Sequence, residues 1–313
     1  MTALSDPTAI CDVAPRDGLQ TLPRVFSLDE RAALIDRLIE AGLRRIEVGS
    51  FVNPARVPQM ADLEALLARL NKPADAWFAG LVMSSRGVER ALSTSLDEVR
   101  LVLVATESFS LRNQGVTPFE MVHLIADAAP RLRSSGKRVT VVIAAAFGCP
   151  FEGAVSQAQI TTLAGQAIDA GAEEIVFADT IGCAVPNQVV SLAEWARGQA
   201  LPFGFHFHDT RGTGLANAWA AVTAGASVLD AATAGIGGCP FAPGATGNIA
   251  TEDLVWMLRQ SGYDTRLDLD ALIETAAWLD GLSPGSGASR LARARPFPEA
   301  AAASRSSSPR SAA

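Results

Sequence analysis

The chain has 313 residues, 49% of them apolar and 19% charged, with 26 basic and 33 acidic side chains and a formal net charge of −7. That hydrophobicity excludes an intrinsically disordered chain, and the acidic balance argues against a nucleic-acid binder, which needs a basic face. No apolar run approaches the roughly 18 residues of a membrane span, Met1 to Ala9 lacks the basic and apolar regions of a secretory signal, and the cysteines (Cys11, Cys149, Cys183, Cys239) are too scattered for a CxxC zinc site, so a reducing, cytoplasmic setting is expected.

Short apolar runs alternate with longer helical patterns, the rhythm of βα units on a parallel sheet. Strands are expected at Ile10–Val13, Arg45–Val48, Trp77–Val82, Glu98–Val104, Arg138–Ala144, Glu174–Phe177, Gly204–His208 and Val228–Ala231. Helices are expected at Leu28–Ala41, Val57–Leu70, Ser85–Thr94, Pro118–Ser134, Ser156–Ala170, Pro186–Arg197, Thr213–Ala224 and Ile249–Ser261. Ser27 and Glu30 form a capping box, Pro118 and Pro186 stand at helix starts, and Gly42, Gly136, Gly171, Gly225 and Gly262 follow helical patterns, where a left-handed residue ends a helix. Eight strands and eight helices over residues 10–261 predict a single α/β (β/α)₈ TIM barrel. The competing doubly wound sheet is weakened because no GxGxxG follows the first strand. Leu269–Leu282 reads as a short C-terminal helical extension. Residues 1–283 are thus expected as one barrel domain, and residues 284–313, rich in Gly, Ser, Pro and Arg, as a disordered tail. Within that tail Arg290, Arg293 and Arg295 read as a solvated basic cluster, with contact to a phosphate-bearing ligand as the sharper alternative.

Chemistry starts with the histidines, of which the chain has three. His206 and His208 sit two apart in the seventh strand. Both imidazoles therefore point to one face near its C-terminal end, where a TIM barrel carries its active site. Two hydrogen-bonded core histidines are the plainer reading; a metal site is the other, since neutral imidazole is a common ligand. Arg16 and Asp17 lie just past the first strand, Glu47 stands among apolar residues of the second, Asp179 closes the sixth, and Asn248 follows the eighth. A carboxylate in an apolar strand is costly unless paired, and Arg16 is an available partner for Glu47. Stability alone does not require polar groups at the same mouth on five strands. Asp17, His206, His208 and Asn248 offer a mixed oxygen and nitrogen set, which favours Mg²⁺ or Mn²⁺ over zinc. Arg16, a fixed planar cation, suits a developing enolate oxygen. The Gly- and Pro-rich stretch 235–247 carries Cys239 and reads as a mobile lid with a proton donor or acceptor, an incidental thiol being the plainer alternative.

The strings PRDGLQ, IEVGSFVNPARVPQM, FGCPFEG, DTIG, HFHDTRGTGLAN and GIGGCPFAPGATGNIATEDLVWML, in that order, resemble the 3-hydroxy-3-methylglutaryl-CoA lyase family. The resemblance implies a TIM barrel and a divalent cation, Mg²⁺ or Mn²⁺, held by Asp17, His206, His208 and Asn248. It implies that Arg16 polarises the thioester carbonyl, that Glu47 holds this arginine, and that Cys239 is the catalytic loop cysteine. The implied reaction is retro-Claisen cleavage of 3-hydroxy-3-methylglutaryl-CoA to acetyl-CoA and acetoacetate, with Asp17 or His206 as base and Cys239 as acid. Substrate contacts are expected from Arg16, Gln20, Ser50, Thr106 and Asp179; Asn113 is a candidate CoA contact, with surface solvation as the plainer reading. The expected partners are an acyl-CoA substrate and, because barrels of this kind often pair, a second copy in a homodimer or higher homo-oligomer.

Val142, Ala144 and Val176 stand where the family carries hydroxyl side chains. A wall that loses hydroxyl donors binds a carboxylate less well. A different 3-hydroxyacyl-CoA is therefore the alternative substrate: a branched or isoprenoid glutaryl-CoA, or citramalyl-CoA. A Claisen condensing synthase of the same superfamily is less favoured, because little chain follows the barrel to form a regulatory domain. A non-catalytic barrel is disfavoured by the intact set of Arg16, Asp17, Glu47, His206, His208, Cys239 and Asn248.

Overall fold

Strands covered on both faces read as continuous apolar runs rather than alternating ones, and that is the pattern here. The computed structural model describes residues 8–238 and 247–294. Its strands are β1 (Ala9–Asp12), β2 (Arg45–Ser50), β3 (Trp77–Val82), β4 (Glu98–Val104), β5 (Arg138–Ala144), β6 (Glu174–Asp179), β7 (Phe203–Phe207) and β8 (Val228–Ala231). Each pairs in parallel with the next, and β8 returns to β1 from Ala9↔Val228 to Asp12↔Ala231, closing the barrel. The expected TIM barrel is the observed fold.

The helices are α1 (Leu28–Glu40), α2 (Leu63–Leu67), α3 (Ser85–Leu92), α4 (Glu107–Gln114), α5 (Pro118–Ser134), α6 (Gln157–Asp169), α7 (Pro186–Arg197), α8 (Gly214–Thr223), α9 (Thr251–Gln260) and α10 (Leu269–Leu282). The α1 capping box is formed, with Ser27 N–H donating to Glu30 Oε2 at 2.9 Å and Glu30 N–H donating to Ser27 Oγ at 3.2 Å. Among the described residues no helix is long and apolar enough to cross a membrane.

Two elements differ from expectation. The single helix expected at Val57–Leu70 is a 3₁₀ turn, Pro58–Met60, followed by α2, because Asp62 between them takes a left-handed φ of 57° that no helix can pass through. Helix α4 was not expected: its sequence ESFSLRNQ has no apolar stripe, and it ends where Gly115 turns left-handed at φ 76°.

Residues 284–294 are also not the free tail that their composition suggests. Ala288 and Ser289 N–H donate to Ala234 O at 2.9 and 3.1 Å, and Arg290 and Leu291 N–H donate to the buried Asp253 carboxylate at 2.9 and 2.7 Å. Their backbone is held by acceptors on the barrel, which residue composition does not reveal. Arg290 spends its guanidinium on Asp209 Oδ2 at 2.8 Å. The remainder of the expected tail, 295–313 with Arg295, lies outside the described residues.

The alternation along β7 sets the site. Phe205 and Phe207 stack at 5.5 Å on one face, which leaves Gly204 and His206 to the other. Gly204 is required for closure, because a Cβ there would lie 2.5 Å from Val228 O on β8.

Candidate active site

Charged side chains occupy the barrel interior from its floor to its mouth. At the floor Arg45 of β2 bridges Glu98 of β4 and Glu174 of β6. Above it Arg100 of β4 makes a two-point pair with Asp230 of β8. Glu47 of β2 accepts the Nε–H of Arg16 through Oε2. These buried groups come from the even-numbered strands, as the layered filling of such barrels requires.

At the mouth the chain leaves β1 through a π-helical turn, Ala14–Gly18, whose residues are all buried. This turn carries Arg16 and Asp17 and aims them inward, and the two side chains pair. His206 Nε2 and His208 Nε2 lie 3.1 Å apart, and Asp17 Oδ2 is 3.8 Å from the first and 3.5 Å from the second. His208 also bridges by backbone to Asn248, whose Nδ2 donates to Asp17 Oδ2 at 2.9 Å. Arg16, Asp17, Glu47, His206, His208 and Asn248 are thus brought together. Cys239 lies outside the described residues, as does most of the stretch 235–247 expected to form a lid.

The electrostatics follow from this placement. Burial alone would raise the Asp17 carboxyl, but the Arg16 guanidinium and the two imidazoles hold it well below the usual carboxylate range. Burial pulls the His206 imidazole down, yet the hydrogen bond to Asp230 and the charges of Asp17 and Asp230 leave it raised overall. Burial pushes the Glu47 carboxyl up against the pull of Arg16 and Arg100. For Glu98, burial is outweighed by Arg45 and Arg100, and its carboxyl is lowered to about 2.

Asp17, His206 and His208 offer ligand atoms within 4.8 Å of one another. Asn248 Oδ1, whose amide Nδ2 donates to Asp17, is buried without a hydrogen-bond partner. Buried polar atoms are normally satisfied, and two imidazole nitrogens and a carboxylate oxygen facing one another suit a shared cation. The donor set therefore fits a divalent metal ion.

Above the set opens a cavity of about 140 Å³, with Arg16, Asp17, Gln20, Asn113, Thr180, His206 and His208 on its polar side, Arg100 and Asp230 among its lining residues as well, and Met83, Val102, Phe109, Val142 and Ala144 on its apolar side. A second cleft of about 480 Å³ shares Gln20, Met83 and Asn113 with it and continues past Asn53, Arg56 and Arg112. Gln20 is at the expected place. Ser50, Thr106 and Asp179, expected to face substrate, do not line either space. Ser50 is fully buried at the end of β2, Thr106 Oγ1 donates to Cys149 Sγ at 3.0 Å, and Asp179 accepts from the Cys183 and Ala184 N–H groups at 2.8 and 2.9 Å. Each polar group at a strand end is also near a loop backbone, and for Asp179 the backbone claimed it. Val176 is buried beside Val142 across the β5–β6 pair but is not part of the cavity wall. Sequence reasoning missed Arg100 and Asp230. The signal was the one that marked Glu47, a charge inside an apolar strand, in EVRLVLV and VLDA.

The HMGL-like family model matches residues 8–279. The chain belongs to the HMGL-like family. This lyase is 45% identical over 286 residues to the (R)-citramalyl-CoA lyase of Chloroflexus aurantiacus, covering 88% of this chain and 90% of that one. It is 37% identical over 268 residues to the hydroxymethylglutaryl-CoA lyase of Pseudomonas mevalonii, covering 85% and 89%. Among solved structures, the HMG-CoA lyase from Acinetobacter baumannii in complex with coenzyme A and 3-methylmalate superposes with a TM-score of 0.90 at 38% identity, covering 95% of this chain and all of that one. The lyase is accordingly an enzyme of the acyl-CoA lyase type.

Proposed function

We propose that this lyase cleaves 3-hydroxy-3-methylglutaryl-CoA to acetyl-CoA and acetoacetate. The observation that carries the reading is the convergence of Arg16, Asp17, His206, His208 and Asn248 on one small cavity at the barrel mouth. Asp17, His206, His208 and Asn248 would hold a Mg²⁺ or Mn²⁺ ion, which would act as a Lewis acid toward substrate oxygens. The residues supply the rest. Arg16, fixed by Glu47 and Asp17, presents its guanidinium to the thioester oxygen, where negative charge develops as the C2–C3 bond breaks. Of the two candidate bases for the tertiary hydroxyl proton, Asp17 and His206, Asp17 is the one with lone pairs to spare, because the His206 ring gives Nδ1–H to Asp230 and turns Nε2 to the ligand set. The enolate of acetyl-CoA then takes a proton from an acid, a role for which the family resemblance makes Cys239 the candidate. The adjoining cleft, with Asn53, Arg56, Arg112 and Asn113, is suited to the CoA arm.

A second reading, cleavage of (R)-citramalyl-CoA to acetyl-CoA and pyruvate, is favoured by the apolar Val142 and Ala144 in the cavity wall. It is also favoured by the 45% identity to a lyase of that name. The test is acetyl-CoA release from each thioester with Mg²⁺ or Mn²⁺, with His206→Ala as control. Metal-dependent release from the glutaryl thioester, lost in the variant, supports the first reading. Release from the citramalyl thioester alone replaces it with the second, and release from neither overturns both.

A further inference from the structure

Beneath the mouth lies a guanidinium that the proposed reaction does not use. Arg100 is fully buried on β4. Its Nη1 and Nη2 donate to Asp230 Oδ2 and Oδ1, both at 2.8 Å, and its Nε donates to Glu98 Oε1 at 3.1 Å. Glu98 is gripped from below by Arg45, whose Nε and Nη2 donate at 2.8 and 2.7 Å. On its other side Asp230 Oδ2 faces His206 Nδ1 at 3.2 Å. Arg45, Glu98, Arg100, Asp230 and His206 therefore form one continuous chain from the barrel floor to the ligand set.

A two-point fork fixes a carboxylate in plane and angle, which a point charge does not. With both Asp230 oxygens accepting from Arg100, Asp230 remains an acceptor toward His206. The imidazole proton then sits on Nδ1, and the Nε2 lone pair turns toward Asp17 and His208. We propose that Arg100 is a positioning residue for the site: acting through Asp230, it sets the tautomer and tilt of the His206 ring. The inference rests on the reading of His206 as a member of the cation-holding set, but its primary readout needs neither metal nor substrate.

With three histidines in the chain, imidazole ¹⁵N spectra of the metal-free protein, compared with those of His206→Ala, identify the His206 signals. On the alkaline side of its raised titration, where the ring is neutral, the parent is expected to show a single Nδ1–H form at His206. Arg100→Met removes fork and charge, and Arg100→Lys keeps the charge but loses the fork. Both are expected to give a mixture of tautomers. Both are also expected to weaken Mn²⁺ binding, read by electron paramagnetic resonance, by roughly 10–100-fold, as for other groups that orient a metal-ligating histidine. Circular dichroism verifies the fold. Should Arg100→Met not fold, Arg100→Lys carries the test, because it leaves Asp230 and Glu98 a buried counter-charge. An unchanged His206 tautomer in a folded variant overturns the proposal. A parent that binds no Mn²⁺, with a His206 spectrum that still responds to Arg100→Lys, removes the metal reading and leaves the positioning role supported.

Discussion

Glu47 holds Arg16 with one oxygen only: Oε2 accepts the Arg16 Nε–H, while Oε1 is buried, accepts no hydrogen bond, and faces Arg100 Nη1 at 3.9 Å. The carboxylate thus lies between two guanidiniums and is spent on orienting the outer one. Glu47→Gln keeps an acceptor for Arg16 but removes the charge between the two cations. The expected outcome is a fall in kcat of about 10²-fold or more with KM little changed, the pattern of a lost transition-state interaction. Steady-state kinetics of acetyl-CoA release check it.

Removing the cation is expected to abolish turnover reversibly. After dialysis against EDTA, acetyl-CoA release stops, and Mg²⁺ or Mn²⁺ restores it in the parent. His206→Ala and His208→Ala are not restored at concentrations that saturate the parent, because each deletes one of the nitrogens that face each other at 3.1 Å. Metal content by elemental analysis separates loss of binding from loss of chemistry.

Substrate choice is expected to follow the hydroxyl content of the wall. Val142→Ser and Ala144→Ser place donors on the apolar side of the cavity. The ratio of kcat/KM for 3-hydroxy-3-methylglutaryl-CoA over citramalyl-CoA is expected to rise about tenfold in the double variant, the size of one modest polar contact. Competition between the two thioesters in one reaction reads that ratio.

Glu252, at the start of α9, is fully buried, and burial raises its carboxyl from 4.5 to about 7 even though it accepts from Ala234 N–H. An acid whose folded pKa is raised binds more protons folded than unfolded, so stability falls as pH climbs from about 4.5 through about 7 and levels off above. The shift corresponds to about 3 kcal/mol. Glu252→Gln is expected to flatten this decline. Denaturant melts of parent and variant between pH 5 and 8 isolate the contribution of this one group.

Gly247 stands where a Cβ would lie 2.1 Å from Gly235 O. Gly247→Ala is expected to push the backbone outward and carry Asn248 away from Asp17. A lowered Mn²⁺ affinity with an unchanged far-ultraviolet spectrum is the outcome to look for.

Much of the fold is legible because burial on both faces writes each strand as an apolar run. Trp77–Val82, Glu98–Val104, Arg138–Ala144 and Val228–Ala231 match the observed bounds. The site is legible wherever a charged residue interrupts such a run or ends it, as at Arg16, Asp17, Glu47, His206 and His208. What was not legible depends on partners distant in sequence. Nothing local to Thr106 says that its hydroxyl is spent on Cys149, and nothing in residues 284–294 announces the acceptors at Ala234 and Asp253. Helix α4 was hidden because a short polar segment carries no periodic signal.

The seam between the first and last strands carries a consequence for synthesis. Asp17 and Asn248 meet across 231 positions of chain, and β1 has no neighbour on that side until β8 arrives. A growing polypeptide therefore holds Arg16 and Asp17 for most of its translation without the groups that complete the centre. An ion held by Asp17 and Asn248 would be captured only at the end of that sequence, and its binding would stabilise the joined sheet over the open one. Fragments ending before β8 should neither retain metal nor turn over substrate, however well their helices form.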